Sequence, residues 1–471
     1  MAAALAVASW RIGYPALWVD EHVSLAFTQE SWRDLAGRLW SVDTHRPVYY
    51  GLLKAWIEAV GTDRALMRLL GAVLAALAVG AVWAIGRVLG GARVGLLAAA
   101  LSVCSPMAVA QARDLRMYPL STLAILVAIL AIALILRRGP TRGRWILFAV
   151  AAALAFHAQA VGVLLVPVAG SVVVGLAVSG LVPRVLVGQF LMAAALWLLL
   201  ILPGLVPMVA HTRDTLADFW IPEPSPGWVW SQIAGAYPYP AVAKPFVLAA
   251  LVGGFVALWR ADRRAFWLLL AMVAGMPLLL WVLSYLRPVL IVRVFVWTTL
   301  VAAVVMAFGL AALRPVLRHA ALAGLVGLQL VALRPLYPAE RQFTDLDRLA
   351  PALRGFDTAR DVMILELAAF EPNLRWNHPT LRAADLRTFS HGDRRDPFAA
   401  LLWSDHRNRS EAAGMPLGTG RVWLISETEP MFPVPESDSV VPALDAIRAR
   451  ARPVHRESHG RVALEILEPD A

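Results

Sequence analysis

Along the first 333 residues apolar positions come in runs of membrane length, each closed by arginines, prolines or aromatic clusters, and charged residues fall almost entirely between the runs. An α-helix needs about 20 apolar residues to cross the hydrocarbon core, so the pattern predicts about eleven transmembrane helices. A first segment over residues 2–17 leads to Asp20, and a long loop, residues 20–64, follows. Helices are then expected over about 65–88, 94–111 and 119–136. Two short helices should form a hairpin around Phe156-His-Ala-Gln159, and the next should cover about 185–210. Three more end at Arg260, Tyr285 and Arg314, and the last ends near Leu333. The loop 211–240 carries Phe219-Trp-Ile-Pro-Glu-Pro-Ser-Pro-Gly-Trp228, whose prolines argue against a regular helix.

From about Pro335 the pattern changes to short alternating runs, Asp361-Val-Met-Ile-Leu-Glu366, Arg421-Val-Trp-Leu-Ile425 and Arg461-Val-Ala-Leu-Glu-Ile466, which read as strands. Residues 334–471 are enough to bury a core of their own. The expected architecture is therefore a polytopic α-helical module, 1–333, followed by a soluble α/β domain, 334–471.

Charge sets the orientation. Arginines concentrate in Gly90-Gly-Ala-Arg93, Arg137-Arg-Gly-Pro-Thr-Arg-Gly-Arg144, Arg260-Ala-Asp-Arg-Arg264 and residues 314–319. Such short basic loops face the cytoplasm, which predicts a cytoplasmic N-terminus and an extracytoplasmic C-terminal domain in the inner (cell) membrane. Composition agrees, with 59% hydrophobic and 16% charged residues and a mean hydropathy of +0.64. The net charge of +10 reports loop orientation and gives no reason to expect a nucleic-acid partner. Cys104 is the single cysteine, so no intrachain disulfide is expected. The first apolar segment lacks a basic leader and a cleavage site, and it is short for a span, which suggests a start further upstream.

The polar clusters that are hardest to explain share the outer side: Asp20-Glu21, Thr44-His-Arg-Pro-Val-Tyr-Tyr50, residues 113–118, His157, residues 220–230, Arg287 and Arg293. Ionisable groups beside hydrocarbon are costly and so are candidates for function. A transporter would place such groups near mid-span on broken helices; here they point to a one-sided site. From the residues alone, bland readings stand beside this one. Asp20-Glu21 could begin an ordinary solvated loop, Arg113, Asp114 and Arg116 could form a surface ion-pair set, and the aromatics of 220–239 could be membrane anchors. Lys54 and Arg64 read as interface charges. His45 and His157 are of a type that ligates divalent ions, yet no tight spacing supports a site. No metal ligand or cofactor is assigned, and a divalent metal remains an alternative.

Three motifs in order, Trp18-Val-Asp-Glu21 followed by Ser24, Asp43-Thr-His-Arg-Pro-Val-Tyr-Tyr-Gly-Leu-Leu-Lys-Ala-Trp56, and Gln111-Ala-Arg-Asp-Leu-Arg-Met-Tyr118, resemble the bacterial GT-C glycosyltransferases. More narrowly the chain is similar to family 39, relatives of the protein O-mannosyltransferases and aminoarabinose transferases. The likeness covers roughly residues 1–310, includes Phe219-Trp-Ile-Pro and the Arg287 to Arg293 segment, and leaves the C-terminal domain without a recognisable relative. It implies transfer of a monosaccharide from a polyprenyl-phosphate donor to a hydroxyl of a lipid, glycan or protein acceptor on the outer face, by an inverting single displacement. Asp20 matches the family's catalytic acidic position and would be the general base, Glu21 would support it, and Asp114 matches the second acidic position. Arg46, Arg116, Arg287 and Arg293 would bind the phosphate, and His45, Tyr49 and Tyr118 would line the pocket. Two departures stand out: Arg46 replaces a common proline, and Val294 follows Arg293 where tyrosine is common. A lipid-linked glycan flippase or polymerase, and a noncatalytic glycan-binding membrane scaffold, are the alternatives.

Overall fold

The structure is a computed structural model that describes all residues except 16, 39–46, 211–223, 287–288, 339–343, 368–369, 390–405, 408, 429–439 and 470–471. It divides into two compact units, Met1–Tyr14 with Ser31–Tyr337, and Pro15–Glu30 with Pro338–Ala471.

The first unit is helical. It opens with α1 (Ala2–Ser9), which has only 8 residues, about 12 Å of helix, and cannot span the core. The apolar run to Leu17 is broken by a turn over 10–15, where Arg11 takes a positive φ of 51°. Eight helices among the described residues are long and apolar enough to cross a membrane, which makes this a multi-pass membrane protein. The longest, Arg64–Val103, is two of the expected spans in one element, because Gly91 at φ 84° breaks it. The halves double back on each other: a Cβ on Gly86 would lie 2.9 Å from the Gly95 Cα, and one on Gly95 would lie 2.8 Å from the Trp83 carbonyl oxygen. Only glycine at both positions allows that approach.

Most of the other expected spans appear within a few residues of their places, as Tyr118–Arg138, Ala160–Val178, Val185–Ala210, Ala241–Ala261, Arg263–Ser284, Val292–Ala312 and Pro315–Leu336. Arg142–Ala158, with 17 residues, supplies the first half of the predicted hairpin. Val292–Ala312 is the most enclosed, with 89% of its apolar window buried. Its approach to the helix Lys244–Ala261 is also glycine-dependent, since a Cβ on Gly309 would stand 2.9 Å from the Gly254 nitrogen. The basic loops are knitted together at Asp262, which accepts from Arg137 at 3.0 Å and caps the next helix through Arg264 N–H at 2.9 Å.

The second unit carries a six-stranded sheet of β1 (Val362–Leu365), β2 (Asp385–Phe389), β3 (His406–Arg407), β4 (Val422–Glu427), β5 (Ala451–His459) and β6 (Val462–Pro469), in the order β3-β2-β1-β4-β6-β5. The first four strands are parallel, and β6 pairs antiparallel with both β4 and β5. Alternation in β1 sends Met363 and Leu365 into a core with Phe370, Leu374 and Trp423, and sends Val362 and Ile364 into one with Leu424, Leu444 and Ile447. Both faces are covered, as a parallel sheet requires. The three predicted strands are β1, β4 and β6. β5 was not foreseen: Arg-Pro-Val-His-Arg-Glu over 452–457 lacks apolar alternation because it is an exposed edge, blunted by proline and charge.

Candidate active site

Asp20 and Glu21 lie in the first turn of α2 (Val19–Gln29), a helix of the second unit packed against the helix Phe370–Asn377. The segment is helical, which turns the two side chains about 100° apart. Glu21 is fully buried, and its Oε2 accepts the Trp18 backbone N–H at 3.1 Å, so the carboxylate caps the helix start. Asp20 is only half-buried, and the hydroxyl of Ser24 donates to its backbone carbonyl at 3.0 Å. The free amides and dipole of a helix N-terminus favour a charged carboxylate in this turn. The pair thus separates into one fully buried carboxyl that caps the helix and one half-buried neighbour. His22 and Ser24, next along the helix, are also buried.

Asp114, Arg116 and Tyr118 sit in the first unit, on the turn that joins the short helix Pro106–Ala112 to Tyr118–Arg138. All three are buried, at 7%, 6% and 4% exposure, so this segment is not a surface ion-pair set. Gly71 seats the turn: a Cβ there would fall 2.4 Å from the Ala112 carbonyl oxygen and 3.5 Å from that of Asp114. Arg113 has a structural use. Its guanidinium donates to the carbonyls of Ala8 at 3.2 Å, Trp10 at 2.5 Å and Arg11 at 3.2 Å, and lies 4.6 Å over the Tyr337 ring. It therefore ties together carbonyls at and just beyond the end of α1 (Ala2–Ser9), where that of Arg11 also accepts the Tyr14 N–H at 3.0 Å.

Tyr49 is buried and meets Tyr50 edge to face at 5.4 Å. Lys54 pairs with Glu58 at 3.3 Å and sits 5.4 Å over the Trp32 ring, in keeping with an interface charge. His157 shares a 3.0 Å hydrogen bond with the Leu200 carbonyl, which ties two helices. Arg293 is half-buried in the 3-10 turn Val292–Phe295. That turn is held by Gln232, which the sequence did not single out and whose Oε1 accepts from Val292 N–H at 2.7 Å, and by Trp228, whose indole donates to the Leu290 carbonyl at 3.0 Å. Both belong to the helix Pro226–Ala236, which forms where prolines argued against one. Ser225 caps it at 3.2 Å, and Pro226 occupies the first position, where a missing N–H is harmless. Ser-Pro was the available signal.

His45, Arg46 and Arg287 lie outside the described residues. Among the described residues, no three of His, Cys, Asp and Glu are grouped to hold a metal ion. Asp20 and Glu21 stand in the second unit, and Tyr49, Asp114, Arg116, Tyr118 and Arg293 in the first.

The whole chain is similar to the crystal structure of ArnT from Cupriavidus metallidurans in the apo state, at TM-score 0.67 and 11% identity, over 99% of this chain and 96% of that one. The chain has the GT-C fold. It is equally similar to the same ArnT bound to undecaprenyl phosphate, at TM-score 0.68, 12% identity and the same coverage. The archaeal oligosaccharyltransferase AglB from Archaeoglobus fulgidus, in complex with an inhibitory peptide and a dolichol-phosphate, matches at TM-score 0.53 and 11% identity, over 89% of this chain and 69% of that one. No protein-family model matches the sequence, and no curated protein shows significant similarity to it. The GT-C likeness includes the C-terminal sheet unit, which the sequence had left without a relative.

Proposed function

We propose that this chain is a membrane glycosyltransferase that moves one sugar from a polyprenyl-phosphate donor to a hydroxyl acceptor on the outer face. The observation that carries this reading is the full-length match to ArnT, one of whose structures holds undecaprenyl phosphate. In the proposed reaction the Asp20 carboxylate takes the proton of the acceptor hydroxyl, whose oxygen attacks the anomeric carbon as the carbon–oxygen bond to phosphate breaks. The polyprenyl phosphate leaves with the bonding electrons, and configuration inverts. A buried capping role for Glu21 supports Asp20 as the base of the pair, because Oε2 of Glu21 is already committed to the Trp18 amide. Asp114 would orient the acceptor. Arg116 and Arg293, with Arg46 and Arg287, would neutralise the departing phosphate, a task for which planar guanidinium forks are suited. Tyr49, Tyr118 and His45 would line the sugar pocket.

Cells carrying the wild type or Asp20→Asn provide the test, with mass spectrometry of lipid-linked sugars and envelope glycans. Accumulation of one polyprenyl-phosphate sugar in the variant, with loss of that sugar from one envelope acceptor, is the expected result and identifies both substrates. Identical profiles would rule the transferase out.

A further inference from the structure

The helices Lys244–Ala261, Val296–Ala312 and Pro315–Leu333 of the first unit enclose an apolar groove of about 970 Å³, at the upper end of the ~300–1,000 Å³ typical of small-molecule sites. Phe246, Val256, Met306 and Leu325 line it, and Gly253 and Gly324 open it, since a Cβ on either glycine would meet nothing within 4 Å. It follows Lys244–Ala261, whose 18 residues extend about 27 Å, close to the hydrocarbon thickness of about 30 Å.

One end is cationic. Gly254 crosses Val305 and Gly309, and both Arg260 and Leu313 line the groove a little further along their helices. Arg314 follows Leu313, and Arg318 stands one turn before the lining residue Ala321. Among the described residues none of the three arginines has a carboxylate partner; the nearby acid Asp262 is engaged by Arg137 and Arg264. This end is also remote from Arg116 and Tyr118 within the same unit. Arg116 and Tyr118 stand at the start of Tyr118–Arg138, whereas Arg137, at its end, bonds Asp262, two residues from Arg260. The 21 residues between extend about 31 Å.

We propose that the groove binds an anionic phospholipid, with an acyl chain along Lys244–Ala261 and the phosphate between Arg260, Arg314 and Arg318. Apolar walls match the chain, guanidinium groups match phosphate oxygens, and basic pockets between transmembrane helices recognise anionic headgroups. The site is separate from any donor phosphate at Arg116 or Arg293 and does not depend on the transferase reading.

The test is native mass spectrometry of the purified full chain, released from bilayers containing phosphatidylglycerol and phosphatidylcholine with matched acyl chains. Wild type should retain phosphatidylglycerol preferentially, by about fivefold for each arginine that contributes. In Arg260→Gln/Arg314→Gln the preference should fall to the roughly fivefold that Arg318 alone supplies, and Gly253→Leu, which fills open space, should lower total retained lipid without changing the melting temperature. Equal retention of the two lipids by wild type would overturn the proposal, as would an unchanged preference in the double variant. Displacement of phosphatidylglycerol by equimolar undecaprenyl phosphate would also overturn it, by making the groove a polyprenyl site.

Discussion

Two adjacent carboxylates, Asp20 and Glu21, differ because a helix starts between Trp18 and Val19. The chain rotation buries Glu21 against the Trp18 amide and leaves Asp20 half-buried in the same turn. Glu21→Gln keeps an acceptor oxygen but loses the charge, and should destabilise the helix start by about 1 kcal/mol. Turnover should fall far less than in Asp20→Asn; an equal loss in kcat for the two variants would reverse their assigned duties. The residue pattern by itself does not separate them, since Trp18 in place of serine or threonine hides the capping signature, and only the family resemblance gives them different duties. Gly71 makes a sharper demand. With a Cβ 2.4 Å from the Ala112 oxygen, Gly71→Ala must push the Asp114 turn away from its helix, at about 1–3 kcal/mol of overpacking. Gly143→Ala, which meets open space, is the control. Thermal unfolding in detergent should separate the two, and matching melting temperatures would show that the turn is not held by that contact.

At the scale of elements, the long helices were legible because each is a closed apolar run, and the reversal at Gly90-Gly91 was marked by its glycines. α2 was less so. Its sequence reads as the start of a loop, whereas it folds with the helix Phe370–Asn377, some 350 residues later, and pairing at that distance leaves no local pattern. The end of this supporting helix carries a titratable group. Burial depresses the pKa of His378 below its ordinary value, with Asp347 opposing the shift. As pH falls through about 6.5 the unfolded chain takes up the proton first, so stability is lost on acidification, and the loss saturates below the folded-state pKa. Hydrogen exchange in peptides from β1 and β4 of the full chain, corrected for intrinsic pH dependence, should show protection falling between about pH 7 and pH 5 in wild type. His378→Gln should flatten that fall, and an unaltered slope would assign the effect to another group.

For the whole molecule, an outer-face reaction depends on orientation. In a Cys104→Ala background, Arg456→Cys on exposed β5 should react with a membrane-impermeant maleimide in intact cells, and Arg142→Cys in the basic loop only after permeabilisation. The opposite pattern would invert the topology and move the reaction to the cytoplasm. The architecture itself was readable from hydropathy and alternation, while the likeness of the C-terminal unit to ArnT emerged only from the fold, at 11–12% identity. The central claim is transfer with Asp20 as base. Lipid-linked sugars and unmodified envelope acceptors extracted from Asp20→Asn cells can be supplied together to the purified wild type and variant, with transfer of the sugar from polyprenyl phosphate to the acceptor as the readout. Wild type should consume one donor, and the variant should bind it equally well yet turn it over about 10²–10⁴-fold more slowly. Equal turnover by the two proteins would contradict Asp20 as the base, and an unconsumed donor pool in both would contradict the transferase.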